Sequence, residues 1–376
     1  MGVAPGGRGW AEGVGENAAP SPGPTLRMPP SPDHPPPATG CAVVVINWNG
    51  AEDTLACLRS LREAGDPCRV VVVDNGSTDG SVARIASQLA AWGVPCTPCT
   101  RAAPPSAPAG GAGEKGVAVW LLEAGENLGF AAGCNAGLRV AQALGCPFVA
   151  FLNNDTVVEP GALGRLVARL AAEPGCFATL PMITVMGSDR IWNCGGTIWR
   201  VGLRRYHLAG RPRDEGARRG EIRCSFFTGC CFVTRTAAFA ARGGFSERFF
   251  FGEEDFELAL WLRARGGHAV CLTSAVVQHK VSAAMGVASA AAADPRRARV
   301  AVHYLNRFIH MRLRLGRPLW ALWCAAYLPY VALLLWRSGT LGAAALPGFV
   351  RRLLARASRM DGVTRADFEA VMAGRW

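Results

Sequence analysis

The 376-residue chain has no internal repeat, no regular pairing of cysteines and no continuous apolar run near its start. The first absence excludes a solenoid or blade array. The fourteen cysteines are scattered through a chain too long for a disulfide-stapled mini-domain, so they read as mostly reduced and buried, in a cytoplasmic protein. Cys96 and Cys99 form a lone CxxC with no second half, which makes neither a convincing zinc site nor a redox motif. Residues 1–40 are rich in Pro, Gly and Ala, lack the apolar core of a signal peptide, and are expected to be disordered. Also missing is any RNA- or DNA-binding motif, although the net charge is +12.

What is present is a chain half apolar, enough to bury a full core with a smaller element to spare. The charge is concentrated. From Arg296 onward fourteen Arg face only Asp361, Asp367 and Glu369, so +11 of the excess sits in the tail and the body is nearly neutral. A basic tail interleaved with apolar residues suits an anionic membrane surface better than a nucleic acid.

Cys41–Asn47 reads as a buried strand, Thr54–Glu63 as a helix, and Arg69–Asp74 as a second strand followed by a helix from about Ser81. This βαβα opening implies a parallel sheet. Residues 93–116 turn Pro/Ala/Gly-rich without periodicity and read as a surface insertion. Strand Val117–Leu122, helix Ala131–Leu144, strand Phe148–Leu152 and helix Gly161–Ala172 follow. Short strands, Gly turns and a helix at Glu253–Ala264 complete a unit over 41–285. A third region, 295–376, holds a basic helix at Arg299–Leu315 and eighteen uncharged residues, Leu319–Trp336, between Arg317 and Arg337. That length is at the lower limit for spanning a bilayer, and Pro329 interrupts it. Trp320, Trp323, Tyr327, Tyr330 and Trp336 suit an interface, so membrane attachment, in-plane or as a short hairpin, is favoured over a buried hairpin packed on the preceding unit.

Several segments carry chemistry. In FLNNDTVV a buried strand runs into Asp155, and a carboxylate at a strand's carboxyl end can hold a metal that carries substrate phosphates; an ordinary Asn/Asp turn would look the same. Asp74 ends another buried strand and is placed to accept hydrogen bonds from a base edge or ribose, or to cap its own turn through Ser77 and Thr78. The small residues between Asn127 and Asn135 let backbone N–H groups approach phosphate, though a Gly turn alone is common. Glu253, Glu254 and Asp255 open an amphipathic helix, where the dipole favours acids with or without catalysis. His279 follows a short strand and is structural or a ligand.

In chain order, VVVINWNG, VVVDNGSTDGS, ENLGFAAGCNAGL, FLNNDTVVEPG and RFFFGEEDFELALWLRARG resemble the inverting family-2 glycosyltransferases of the GT-A fold, most closely their rhamnosyltransferase-like branch. The resemblance covers roughly 41–282. It implies a Rossmann-like α/β fold with a mixed, mainly parallel sheet flanked by helices, followed here by the helical apolar and basic extension. It also implies nucleotide-sugar contacts at Asn47, Trp48, Asp74, Asn127, Gly133 and Asn153, and a divalent cation, Mg²⁺ or Mn²⁺, at Asp155 with His279. Asn153 stands where many relatives have a first Asp. Asp255 becomes the base that takes the acceptor hydroxyl's proton, with Glu254 shaping the acceptor side. Glu257 stands in place of a second Asp two residues after the base. Phe226–Cys231, FFTGCC, falls on the acceptor segment, with Gly229 allowing close approach and the Cys pair filling core.

The expected protein is a metal-dependent transferase moving a sugar, rhamnose or another deoxyhexose, from a nucleotide-sugar to a cell-surface or lipid-linked glycan at the cytoplasmic face of the cell membrane. A non-catalytic nucleotide-sugar or carbohydrate-binding protein is the alternative, and intact Asp155 and Asp255 weigh against it. A nucleotidyltransferase needs a basic Gly-rich phosphate loop after the first strand, and INWNGAEDT offers none.

Overall fold

Runs of valine with no polar break make strands buried on both faces, and two such runs start the fold. The structure is a computed structural model describing residues 40–103, 105, 116–281 and 295–375; the disorder expected before residue 40 lies outside them. The first half alternates: β1 (Cys41–Asn47), α1 (Ala51–Glu63), β2 (Cys68–Asp74), α2 (Ser81–Ala91), β3 (Cys96–Thr100), β4 (Val117–Glu123), α3 (Phe130–Ala143) and β5 (Phe148–Asn153). Shorter elements follow: β6 (Thr156–Val158), α4 (Ala162–Ala172), β7 (Cys176–Val185), β8 (Ile191–Asn193), β9 (Gly196–Ile198), β10 (Arg204–Tyr206), α5 (Arg213–Ala217), β11 (Glu221–Cys224), β12 (Cys231–Arg235), α6 (Thr236–Ala241), α7 (Glu254–Ala264) and β13 (His268–His279). Three helices end the chain: α8 (Pro295–Arg337), α9 (Leu346–Ala357) and α10 (Arg365–Met372).

The main sheet runs β11-β13-β7-β12-β5-β1-β2-β4-β3, with β6 on β13 and β8 on β7, while β9 and β10 form a separate hairpin. Strands β5, β1, β2, β4 and β3 are parallel; β12 enters antiparallel between β5 and β7. This is the mixed, mainly parallel sheet that the motif order implies. The register places Asn47 beside Asp74 and Ile46 beside Asn153, so three expected site residues end adjacent strands at one edge. Antiparallel β12 starts at that edge, which brings Thr228, Gly229 and Cys230 to it. His279, the last residue of β13, pairs with Thr156 there as well.

Both faces of the sheet are covered. Leu58 and Leu61 of α1, Ile85 and Leu89 of α2, and Leu166 and Leu170 of α4 fill one side. On the other, α3, α6 and α7 enclose an aromatic cluster of Phe151, Phe232, Phe239 and Phe245, with ring centroids 5.0–6.0 Å apart. All fourteen cysteines are free, and every one but half-buried Cys96 is buried.

The stretch read as an insertion needs correction. Cys96–Thr100 is an edge strand parallel to β4, and Pro98 is tolerated because a strand at the rim has one unpaired side. Cys96 and Cys99 are strand residues, with Cys99 packed into the core. Residues 104 and 106–115 lie outside the described part.

The C-terminal helices build a third core. Leu305, Phe308, Ile309 and Met311 of α8 pack with Phe256 and Leu260 of α7 and with Phe349 and Leu353 of α9. Helix α8 breaks at Gly316, where φ is 74° and ψ 163°. The segment before Gly316 is largely interior. Beyond it, Trp323, Cys324, Val331 and Leu335 face inward, while Leu319, Leu322, Tyr330, Leu333, Leu334 and Trp336 are exposed. Among the described residues, Arg296–Arg337 is the one helix long and apolar enough to cross a membrane.

Candidate active site

A cavity of about 840 Å³ opens across the strand ends, where an open α/β sheet offers a crevice for ligands. Trp48, Asn127, Asn153 and Asn154 line one side, with Asn49, Asn75 and Gly129 among them. Glu254 and Asp255 line the other, together with Thr228, Gly229 and Cys230. Residues from α8 and α10 close it.

On the first side, the expected nucleotide residues divide between wall and support. Asn47 is fully buried; its Nδ2 donates to Asp74 Oδ1 (2.8 Å) and its Oδ1 accepts from Thr54 (2.8 Å). Asp74 also accepts from the Ser77 backbone N–H (3.0 Å). Both therefore hold the β1 and β2 turns that present Trp48 and Asn49, and neither is part of the cavity wall. Gly133 lies inside α3, close to Ile46 and the Asn75 side chain, also off the wall. Asn127 Oδ1 accepts from Asn75 Nδ2 (3.0 Å) and from the Gly129 N–H (2.9 Å). This shapes the turn into α3. Gly129 adopts φ 83°, and a Cβ there would overlap the Phe250 carbonyl. The Phe130 N–H donates to that same carbonyl (3.3 Å), so the turn into α3 and the segment before α7 touch through a position only glycine fits.

Asp155 is buried just past Asn153 and Asn154 and does not line the cavity. Its Oδ1 lies 3.1 Å from His279 Nε2, yet that oxygen has no hydrogen-bond partner, and His279 Nδ1 has none either. A buried carboxylate oxygen left unsatisfied beside an imidazole is a donor set that fits a divalent cation. A second trio, Glu173, Cys176 and His268, lies at the opposite end of β7 and β13. There Arg169 occupies Glu173 (2.7 Å) and burial pushes the Cys176 thiol up to about 11, so it is read as structural.

The acidic wall begins with a strained residue. Glu253 sits at φ 77°, a left-handed conformation rare outside glycine, and caps α7 from the wrong region of backbone space. Its buried carboxylate is bound by Arg307 Nε (2.8 Å) and His310 Nδ1 (3.0 Å) of α8. Burial alone would raise its pKa, but Arg307 and His310 outweigh that and hold it at about 2. The next two carboxyls differ. Burial, then the neighbouring Asp255, lifts Glu254 to about 8. Asp255 is also raised by burial, against the pull of Arg204 and Arg307. Burial and mutual repulsion thus favour a proton held on this pair of neighbouring carboxyls. Gly229 backs Glu254, with its absent Cβ position 4.0 Å from Glu254 Oε1. Glu257 pairs with Arg242 (2.7 Å) and lies off the cavity.

Sequence reasoning passed over Glu253 as an anchor, and over Arg204, His303, Asn306 and Arg307. HYLNRFIH was legible only as a basic helix, since its partners stand some fifty residues or more away. Asn75, inside VVVDNGSTDGS, carries no separate signal in the sequence for its bonds to Asn127 and Gly129.

A mixed, mainly parallel sheet, with a large cavity over its strand ends and a carboxylate pair on one wall, has the organisation of a GT-A-type transferase. The chain belongs to the family described as glycosyltransferase-like family 2, whose model matches residues 36–301, and is a glycosyltransferase. It is 26% identical over 297 residues to the N-acetylglucosaminyl-diphospho-decaprenol L-rhamnosyltransferase of Mycobacterium tuberculosis, covering 72% of this chain and 83% of the relative. Among solved structures it is similar to a mannosyltransferase from Pyrobaculum calidifontis in complex with GDP-Man and Mn²⁺ (18% identity, TM-score 0.47, 94% of this chain and 90% of that one). It is also similar to GalNAc-T7 with UDP, GalNAc and Mn²⁺ (17% identity, TM-score 0.48, 64% of this chain), of which it spans 43%.

Proposed function

We propose that this glycosyltransferase moves a sugar, with inversion at the anomeric carbon, from a nucleotide-sugar to a hydroxyl of a cell-surface or lipid-linked glycan. The observation that carries the reading is the facing of two walls across one cavity: an Asn- and Gly-rich rim at the strand ends, and the Glu254–Asp255 pair. Asp255 takes the proton of the acceptor hydroxyl. The oxygen then attacks the anomeric carbon from the side opposite the diphosphate, one C–O bond forms as the other breaks, and the nucleoside diphosphate leaves. Glu254, protonated near neutrality, donates a hydrogen bond on the acceptor side. Asp155, with His279, would hold Mg²⁺ or Mn²⁺, and the bound cation supplies charge compensation for the departing diphosphate. Rhamnose or another deoxyhexose as donor sugar, and a lipid-linked acceptor, rest on the similarity to the mycobacterial enzyme.

The setting is the cytoplasmic face of a membrane. No acidic residue occurs between Arg296 and Met360, and the exposed stripe of Leu319, Leu322, Leu333 and Trp336 gives that basic region an apolar contact face. In-plane docking fits, because the opposite stripe of the same helix belongs to the C-terminal core.

The test follows nucleoside diphosphate release from a panel of UDP-, dTDP- and GDP-sugars, with Mg²⁺, Mn²⁺ or EDTA, with and without a membrane lipid extract. Release that needs acceptor and metal, and falls in Asp155→Ala, is expected. Donor binding with no release under any condition would leave a binding protein instead.

A further inference from the structure

The far wall of the cavity contains polar groups that take no hydrogen-bond partner among the described residues. Arg204 of β10 lines it with its guanidinium over the rings of Tyr206 (5.6 Å) and Phe226 (5.3 Å). It makes no hydrogen bond or ion pair to any described residue. A guanidinium held by aromatic faces keeps its planar fork of N–H donors free, and that fork matches a phosphate. His303 of α8 lines the same wall; burial, with Arg307 and Arg204 nearby, lowers it to about 3. It is therefore a neutral imidazole with one N–H to give. Asn306 is 1% exposed, lines the cavity and donates through Nδ2 to the Phe251 carbonyl (2.9 Å), while its Oδ1 has no partner. Thr228 Oγ1 is equally unsatisfied. Buried polar atoms without partners are rare, and several around one cavity point to a ligand that supplies hydroxyls and anionic oxygens.

The same wall turns apolar. Leu334 and Leu335 line the cavity, and Leu334 is also 40% exposed. At Leu334 the cavity therefore meets the outward apolar stripe of α8. A ligand running along this wall passes from carboxylate to guanidinium to leucine: a hydroxyl, then an anion, then a hydrocarbon.

We infer that Arg204, with His303, forms a subsite for the phosphate of a polyprenyl-phosphate-linked acceptor, with Asn306 Oδ1 accepting from a sugar hydroxyl beside it, and that the lipid leaves past Leu334 toward the membrane. This rests on the transferase reading above for its acceptor, while the subsite itself concerns binding and is measurable without turnover. No group on this wall is among those expected to hold the donor diphosphate.

The experiment titrates the full chain with farnesyl diphosphate and with farnesol, with nucleoside diphosphate and Mg²⁺ saturating the donor side. The expected result is at least tenfold tighter binding of the diphosphate, reduced to parity in Arg204→Gln and only partly kept in Arg204→Lys, which retains the charge without the planar fork, with nucleoside diphosphate affinity unchanged. His303→Gln, which keeps a neutral donor, tests the wall should Arg204→Gln melt early. Equal binding of the two probes, a preference that survives Arg204→Gln, or displacement of farnesyl diphosphate by nucleoside diphosphate would each overturn the subsite. Failure of the donor panel leaves these binding readouts intact, so the two readings fail separately.

Discussion

Glu253 concentrates more constraint than any other residue near the site. A non-glycine residue in left-handed backbone space persists only where its surroundings over-determine it, and here Arg307 and His310 do so from α8. Removing one partner of a buried ion pair leaves an uncompensated charge, at about 3–5 kcal/mol. Glu253→Gln is accordingly expected to lose that much in urea denaturation, and Glu253→Gln with Arg307→Met to recover part of it, since the stranded guanidinium is then gone. Glu254 gives a second prediction at this scale. Its folded pKa, about 8, lies above the ordinary value of 4.5, so its contribution to stability is full below pH 4.5 and is lost as pH rises through 8. Stability measured across that window should decline less in Glu254→Gln than in the wild type. Asp155 and Asp255 could be picked out from sequence because each ends or opens an element inside a dense motif. Arg204 and Arg307 could not: a guanidinium in a basic stretch gives no sign of being buried until the fold brings Glu253 or Tyr206 to it.

Among the elements, the contact between the α3 turn and the segment before α7 is the tightest link between the two walls. Gly129→Ala adds strain at φ 83° and drives a methyl into the Phe250 carbonyl. The expected cost is above 1 kcal/mol, with a matching fall in melting temperature and a weakened affinity for nucleotide-sugar; an unchanged melting curve would mean that the two segments are not in register as described. Strands β1, β2, β4 and β5 are readable because burial on both faces leaves an unbroken apolar run at the centre of each, with polar residues only toward the ends. β3 is not, because a rim strand needs few apolar side chains and CTPCT shows none of the usual alternation. The break at Gly316 falls between the basic stretch and the uncharged stretch of the sequence, so the change in composition marks the change in helix direction.

For the molecule as a whole, the C-terminal helices join three roles: they pack on α7, close the cavity and present an apolar stripe. Leu322 and Leu333 are 69% and 49% exposed, so Leu322→Glu with Leu333→Glu should leave thermal stability nearly unchanged while abolishing cosedimentation with phosphatidylglycerol vesicles. Wild-type binding should weaken with salt, as contacts worth about 1 kcal/mol per Arg are screened. Retention of vesicle binding in the double variant would place the contact elsewhere. If Asp255 is the base for transfer in this cavity, acceptor-dependent nucleoside diphosphate release by Asp255→Asn falls about 10²–10⁴-fold against wild type with nucleotide-sugar binding retained; a rate within a few-fold of wild type would rule Asp255 out as the base.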